Sequence, residues 1–218
     1  MSNKCTNCNL VNFPNVAVCA RCGAEIVEEF AVETKPAAKR SSIAARVIVC
    51  LFVVIAVFLG FYVSLIASAS QLTIEQKSTV RASVRLLKEK GFLNETILLE
   101  YLTAFRGNDN WLNASVAKEN AYAATNFPFE IMTIYPDFFN YPIDDTERAA
   151  ILLHEAKHLA GKNEHDAYEF VWKNRKQLGW TSDKYAASTV WQNVRKQTKE
   201  NVPELFTCEG NLAGDCTE

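Results

Sequence analysis

Seven residues within one short stretch could do chemistry together. Residues 151–170, ILLHEAKHLAGKNEHDAYEF, hold three histidines, three glutamates and an aspartate, and these are all the histidines in the chain. His154 and His158 are four residues apart, so on a helix both imidazoles leave one face, about one turn apart. That spacing lets two ring nitrogens bind one Zn²⁺ at about 2.0–2.1 Å. Glu155, next to the first histidine, projects to the side where a water beside the metal would sit. It could take a proton from that water and pass it to a leaving amine. Glu164, His165 and Asp166 are candidates for a third ligand, with Glu169 a more distant one, and three protein ligands would leave the fourth position open. Glu164 and Tyr168 share a helical face, which puts a phenol near the metal, where it could steady an oxyanion. The plainer role for Tyr168 is half-buried packing, and the plainer reading of the whole stretch is a solvated helix face.

A second set of metal-type residues stands at the other end of the chain. Cys5, Cys8, Cys19 and Cys22 form C-x2-C-x10-C-x2-C. Each C-x-x-C pair can wrap two thiolates around one ion, and two pairs complete a closed tetrahedral site of the structural zinc kind. So short a segment, poor in large apolar residues, needs metal-binding energy to fold. The stretch CTNCNLVNFPNVAVCARCG resembles the RanBP2-type zinc finger and related short zinc ribbons, whose asparagine is present as Asn12. Their tryptophan is replaced by Asn3, and the Thr-Phe pair of ubiquitin-binding members by Asn9-Leu10. With RNA and ubiquitin readings unsupported, the expectation is a structural or protein-docking module.

Between the two lies a run of 21 residues, 47–67, without a charged side chain. At about 1.5 Å rise per residue it matches a hydrocarbon core of roughly 30 Å. It begins too late and runs too long for a signal peptide, so one transmembrane helix over residues 43–69 is expected. Lys35, Lys39, Arg40 and Arg46 precede the run and Lys77, Arg81 and Arg85 follow it, a slight positive-inside bias toward a cytosolic N-terminus. Zinc thiolates suit the cytosol. Cys208 and Cys216, flanking a short Gly-containing loop, could close a disulfide on the far side, while Cys50 reads as apolar filler in the span. The layout thus predicts a single-pass protein with an extracytoplasmic C-terminal domain, of the kind found in a bacterial plasma membrane. Its parts are a finger over residues 1–24, a flexible linker over 25–42, the anchor, and a mainly α (α+β) outer domain over 71–218.

The elements that must position the chemistry can be read coarsely. Residues 71–91 have helical apolar spacing ending at Gly91, and residues 94–107 suggest a second helix from Asn94 to Gly107. The segment FEIMTIYPDFF reads as a strand running into a turn at Pro136. From Asp144, acidic residues open an apolar-striped helix through Ala149, Leu152, Leu153, Ala156 and Leu159 that stops at Gly161. A further helix continues to Gly179, and a last one starts at Thr181 or Ser182. Trp172, Trp180 and Trp191 are expected in the core.

The H-E-x-x-H pattern at 154–158 is the signature of the zincin metallopeptidases, and residues 129–170 resemble that clan, with something of the aspzincin pattern. Counted from His154, Gly161 takes the place of the glycine and Glu164 that of the last ligand in H-E-x-x-H-x-x-G-x-x-[H/D] sites. The resemblance implies a zinc endopeptidase fold, with the active-site helix under a small sheet, and a preference for Glu164 as third ligand. Lys162 in place of Thr, Glu164 in place of Asp, and Glu169 in place of Gly after Tyr168 depart from the subgroup. No methionine follows to make a metzincin turn. With a net charge of −2, a wholly basic nucleic-acid-binding surface is excluded, and acidic residues beside the finger disfavour RNA there. The expected activity is peptide-bond hydrolysis outside the membrane by a zinc enzyme, with a cytosolic protein as partner for the finger. The alternative is an inert zincin-like binding or sensor domain.

Overall fold

The computed structural model describes residues 3–26, 42–112, 122–126, 129–207 and 216. The chain divides into two units, Met1–Cys50 and Leu51–Glu218. In the first unit, β1 (Asn3–Lys4) pairs antiparallel with β2 (Val11–Asn12). Two knuckles follow the same hydrogen-bond pattern. Cys5 N–H donates to Leu10 O and Asn9 N–H returns to Cys5 O; Cys19 N–H donates to Ala24 O and Gly23 N–H to Cys19 O. Each knuckle needs one left-handed residue, supplied by Asn9 (φ 60°) and Gly23 (φ 72°), the two residue types that tolerate it best. Asn12 joins the knuckles, accepting from Ala20 N–H and donating to Leu10 O. A bridge from Val18 to Glu25 and a bond from Ile26 N–H to Ala17 O carry this pairing to Ile26. The expected linker lies, from residue 27 to 41, outside the described residues.

Helix α1 (Ile43–Ser68) is long and apolar enough to cross a membrane, and none of its most apolar 18 residues is buried. Full exposure of so apolar a helix sets it apart from the core helix of a soluble domain. Cys50 on it carries a free thiol.

The rest of the second unit is mainly helical with one three-stranded sheet. Helix α2 (Ile74–Glu89) starts in a reciprocal capping box between Thr73 and Gln76 and buries Val80, Val84 and Leu87. Helix α3 (Leu93–Ile97) opens with Phe92 at its cap, without a side-chain cap bond, and runs into a π-helical turn at Leu98–Leu102. The helix expected to reach Gly107 therefore stops short. Residues Ala104–Arg106 form β3, parallel to β5 (Ile131–Ile134), because the long-range ladder supplies partners that a frayed helix end would leave to water. On the other side of β5 lies β4 (Ala123–Asn126), antiparallel, so the order is β3-β5-β4. Every residue of β5 is buried, as a central strand requires.

Pro136 does not make a turn after the strand; it occupies the first turn of α4 (Pro136–Asn140), where its missing N–H costs nothing. Helix α5 (Asp145–Leu159) is capped by Asp144, which accepts from the N–H groups of Thr146 and Glu147. It packs against α2, β4 and α6 (Glu164–Leu178). The expected last helix is two pieces, α7 (Ser182–Tyr185) and α8 (Thr189–Asn201). The break has a clear cause. Ser188 caps α8 through Trp191 N–H while its hydroxyl donates to the buried carboxylate of Glu147, which also receives Ile143 N–H. Trp172, Trp180 and Trp191 are 0%, 0% and 3% exposed and stack in one cluster with Phe206, so they are core residues. Removing one such ring would cost about 3–5 kcal/mol. Cys216 is disulfide-bonded, and Cys208 lies outside the described residues.

Candidate metal centres

In the finger, Cys5 and Cys22 sulfurs are 3.6 Å apart and Cys8 and Cys19 sulfurs 3.5 Å apart. Four sulfurs at about 2.3 Å around a tetrahedral zinc would be about 3.75 Å from one another. The donor set thus fits a structural zinc, and these four cysteines could hold one metal ion. Charge supports the fit. The N–H groups of Arg21 and Cys22 aim at the Cys19 sulfur and hold its thiol down to about 6. At Cys8 the Leu10 backbone bond favours the thiolate, but burial and the other three sulfurs push the thiol up to about 12. Sulfurs this close compete for negative charge, and a divalent cation removes the competition.

The second centre is built by a turn. Helix α5 ends with Gly161 at φ 73°, its N–H bonded to His158 O and that of Lys162 to Lys157 O, a Schellman ending that only a left-handed residue completes. Asn163 then caps α6 by accepting from Asp166 N–H. The reversal puts Glu164, the first residue of α6, opposite the last turns of α5. His154 Nε2 and His158 Nε2 are 3.0 Å apart, and Glu164 places one oxygen 3.3 Å from each. Donors at about 2.05 Å around a tetrahedral ion are about 3.3 Å apart, so two histidines and a carboxylate fit the first three positions of a zinc site. His158 Nδ1 meets Lys162 O at 2.9 Å, which leaves Nε2 as the metal-facing nitrogen. His154 Nδ1 is buried and has no partner among the described residues.

Of the alternative third ligands, His165 turns to Glu204 at 2.8 Å, Asp166 lies 3.6 Å from Lys162, and Glu169 pairs with Lys173 at 2.5 Å. His165, Asp166 and Glu169 also form a looser group of their own, on the exposed start of α6.

Glu155 lies 7% exposed beside the triangle, its carboxylate held by the Thr125 hydroxyl of β4 at 2.7 Å. Tyr168 stacks on His154 with ring centres 4.3 Å apart and donates its hydroxyl to Gln197 Oε1 of α8 at 2.7 Å. Burial, then the charges of Glu164 and Glu155, push the Tyr168 phenol well above its usual range, so it stays a protonated donor. A half-open cavity of about 210 Å³ lies beside the triangle, lined by Ile151, Val171, Val194 and Gln197 among others. On the other side a wider cleft of about 460 Å³ runs along Ala123, Ala124 and Thr125. Both share Glu155 and Glu164, so the triangle lies between a side-chain-sized hole and an open channel. Thr125 and Gln197 escaped the sequence reading. The Ala-Ala-Thr-Asn of β4 has weak strand propensity, whereas Gln197 had one available signal, a polar residue on the stripe that α8 otherwise fills with Val190, Trp191 and Val194.

Charge in the metal-free site has a measurable consequence. Hydrogen bonds from His154 and His158 hold the Glu164 carboxyl far below the ordinary carboxylate range. Burial opposes a charged His158, but Glu164 and the Lys162 carbonyl outweigh it and raise the imidazole from 6.5 to about 9. A raised histidine adds stability that is full below pH 6.5 and lost as pH climbs through 9. The lowered carboxyl keeps its own contribution throughout that interval. Thermal unfolding of the metal-free chain should therefore shift to lower temperature between pH 6 and pH 9, and saturating zinc, which needs neutral imidazoles, should remove the shift. A flat or rising profile without zinc would contradict this charge pattern.

Comparison with protein-family models, curated proteins and solved structures gives no match to this chain.

Proposed function

We propose that the protein is a membrane-anchored zinc metallopeptidase whose outer domain, on the extracytoplasmic side, hydrolyses peptide bonds. The observation that carries the reading is the His154, His158 and Glu164 triangle, with a buried, oriented carboxylate at its side and an open channel before it. Zinc held there would polarise a carbonyl and lower the pKa of water toward about 7.

The remaining roles belong to the chain. Among the described residues β4 pairs on one side only, with β5, so its other edge can take an extended peptide as an added strand along the Ala123–Thr125 channel. The hydroxyl of Thr125 keeps the Glu155 carboxylate turned to that channel, where it accepts a proton from water and returns it to the leaving amine. Tyr168, protonated and anchored by Gln197, offers its hydroxyl to an oxyanion by exchanging one acceptor for another. The cavity beyond takes the side chain next to the cleaved bond. The finger, on the cytosolic side, docks a protein partner.

The test is hydrolysis of a mixed peptide library by the full chain in lipid nanodiscs. Cleavage that disappears with chelator and returns once zinc is added back in excess of the two sites is expected. Cleavage indifferent to zinc, or none in the zinc-loaded chain, would overturn the reading.

A further inference from the structure

A cavity of about 610 Å³, larger than either one at the metal triangle, lies between α2 and β3. One wall is the stripe Lys77, Arg81, Arg85 and Lys88. At 100° per residue these four fall within about 80° of one another on α2. Arg106 of β3 also lines the groove, and among the described residues Glu100 is the one acidic residue lining it. Lys88 pairs with Glu100 at 3.3 Å and Lys77 donates to Gln71, whereas Arg81 and Arg85 are exposed and have no hydrogen bond or ion pair among the described residues. Behind the cations the groove is backed by core residues, Leu72, Val80, Val84 and Leu99, each at most 4% exposed, with the half-buried Phe105 beside them.

The position of this groove says what it meets. Its lower end is the segment that leaves α1. Leu72 lines the groove, four residues beyond the end of α1 at Ser68, and Gly107, next to Arg106, donates to Ser70 O at 2.9 Å. Nearby, Trp111 packs edge-on against Phe61 and donates its ring N–H to Ser64 at 2.8 Å, beside the last turns of the apolar helix. A tryptophan at such a helix end is the residue type that settles at the membrane–water boundary. The groove therefore opens at headgroup height, with cations at its rim.

We infer that the α2–β3 groove binds one anionic phospholipid of the bilayer that holds α1, its phosphate between Arg81, Arg85 and Arg106. This rests on the membrane-anchored half of the proposed function and not on the peptidase half. An acidic peptide or a free phosphate would satisfy the cations as well, but the bilayer that holds α1 presents its own phosphates to the groove at a far higher local concentration. A bound lipid would fix the height and tilt of the outer domain, and with them the approach of the β4 channel to substrates.

The test uses the full chain in nanodiscs of phosphatidylcholine with one-fifth phosphatidylglycerol, released into native mass spectrometry, beside Arg81→Ala/Arg85→Ala. Both arginines are exposed, so the double variant keeps its fold, checked by unchanged zinc content. The expected result is one phosphatidylglycerol retained per wild-type chain, no phosphatidylcholine, and a loss of about tenfold or more in the variant. Equal retention by both proteins, or equal retention of both lipids, would overturn the inference. So would displacement of the lipid by glycerol phosphate or oligoglutamate at matched concentration, which would make the groove a plain anion or acidic-peptide site. Carbonate extraction separates the two claims. A wild-type chain released from membranes by carbonate overturns the anchored reading and the lipid site with it, whereas a resistant chain indifferent to phosphatidylglycerol overturns the lipid site alone.

Discussion

Glu155→Gln is expected to lower peptide hydrolysis by about 10²–10⁴-fold, the usual span of a general acid–base group, while leaving zinc content unchanged. The substitution keeps shape and volume, and its amide oxygen can still accept from the Thr125 hydroxyl that now meets the carboxylate at 2.7 Å. What it removes is the ability to hold a proton between water and the leaving amine. Zinc should stay because the close triangle of donors is formed by His154, His158 and Glu164, with Glu155 outside it. Hydrolysis and metal content measured on the same preparation separate the outcomes. A variant within about threefold of wild type, with zinc bound in both, would remove Glu155 from the chemistry. Equal background cleavage in both would favour the inert binding domain.

The second large effect falls on the finger. Cys19→Ser is expected to unfold residues 3–26 entirely, with little change in the thermal midpoint of the second unit. The reason is the absence of any other core. Its buried side chains are Cys5, Asn12 and Cys19, while Phe13 is 85% exposed and Val11 and Val18 more than half exposed. An apolar core cannot be drawn from that set, and structural zinc in such modules contributes about 10–16 kcal/mol of what is then folding free energy. Limited proteolysis and amide chemical-shift dispersion of the full chain would report the loss. A variant finger that keeps dispersed shifts and protease resistance would show that something besides the metal holds it.

How much of this could be read from the residues differs by element. The histidine pair was legible because one helical periodicity fixes its geometry, and Asp144, Gly161 and the apolar stripe between them mark that helix locally. Glu164 was preferred only through the resemblance, by its count from His154, and the residues alone left His165 and Asp166 open; the left-handed Gly161 is what turns Glu164 back to the histidines. The transmembrane-length helix and the knuckles followed from composition and spacing alone. What escaped depended on distant partners. Residues 104–106 looked like the end of a helix and became β3 because β5 offered a ladder, and β4 carries no strand signal of its own beyond Thr125. The break before Ser188 arose from a hydroxyl meeting Glu147, 41 positions away in the chain. The basic stripe on α2 was visible as spacing, but a groove needs two walls, and the second was the unrecognised strand.

Zinc content reads the His154, His158 and Glu164 centre without relying on any substrate. The full chain, purified in lipid nanodiscs and dialysed against trace zinc, should hold two equivalents by elemental analysis, and His154→Ala/His158→Ala should hold one. A wild-type count of one, or a double variant that still holds two, would contradict a zinc site at His154, His158 and Glu164.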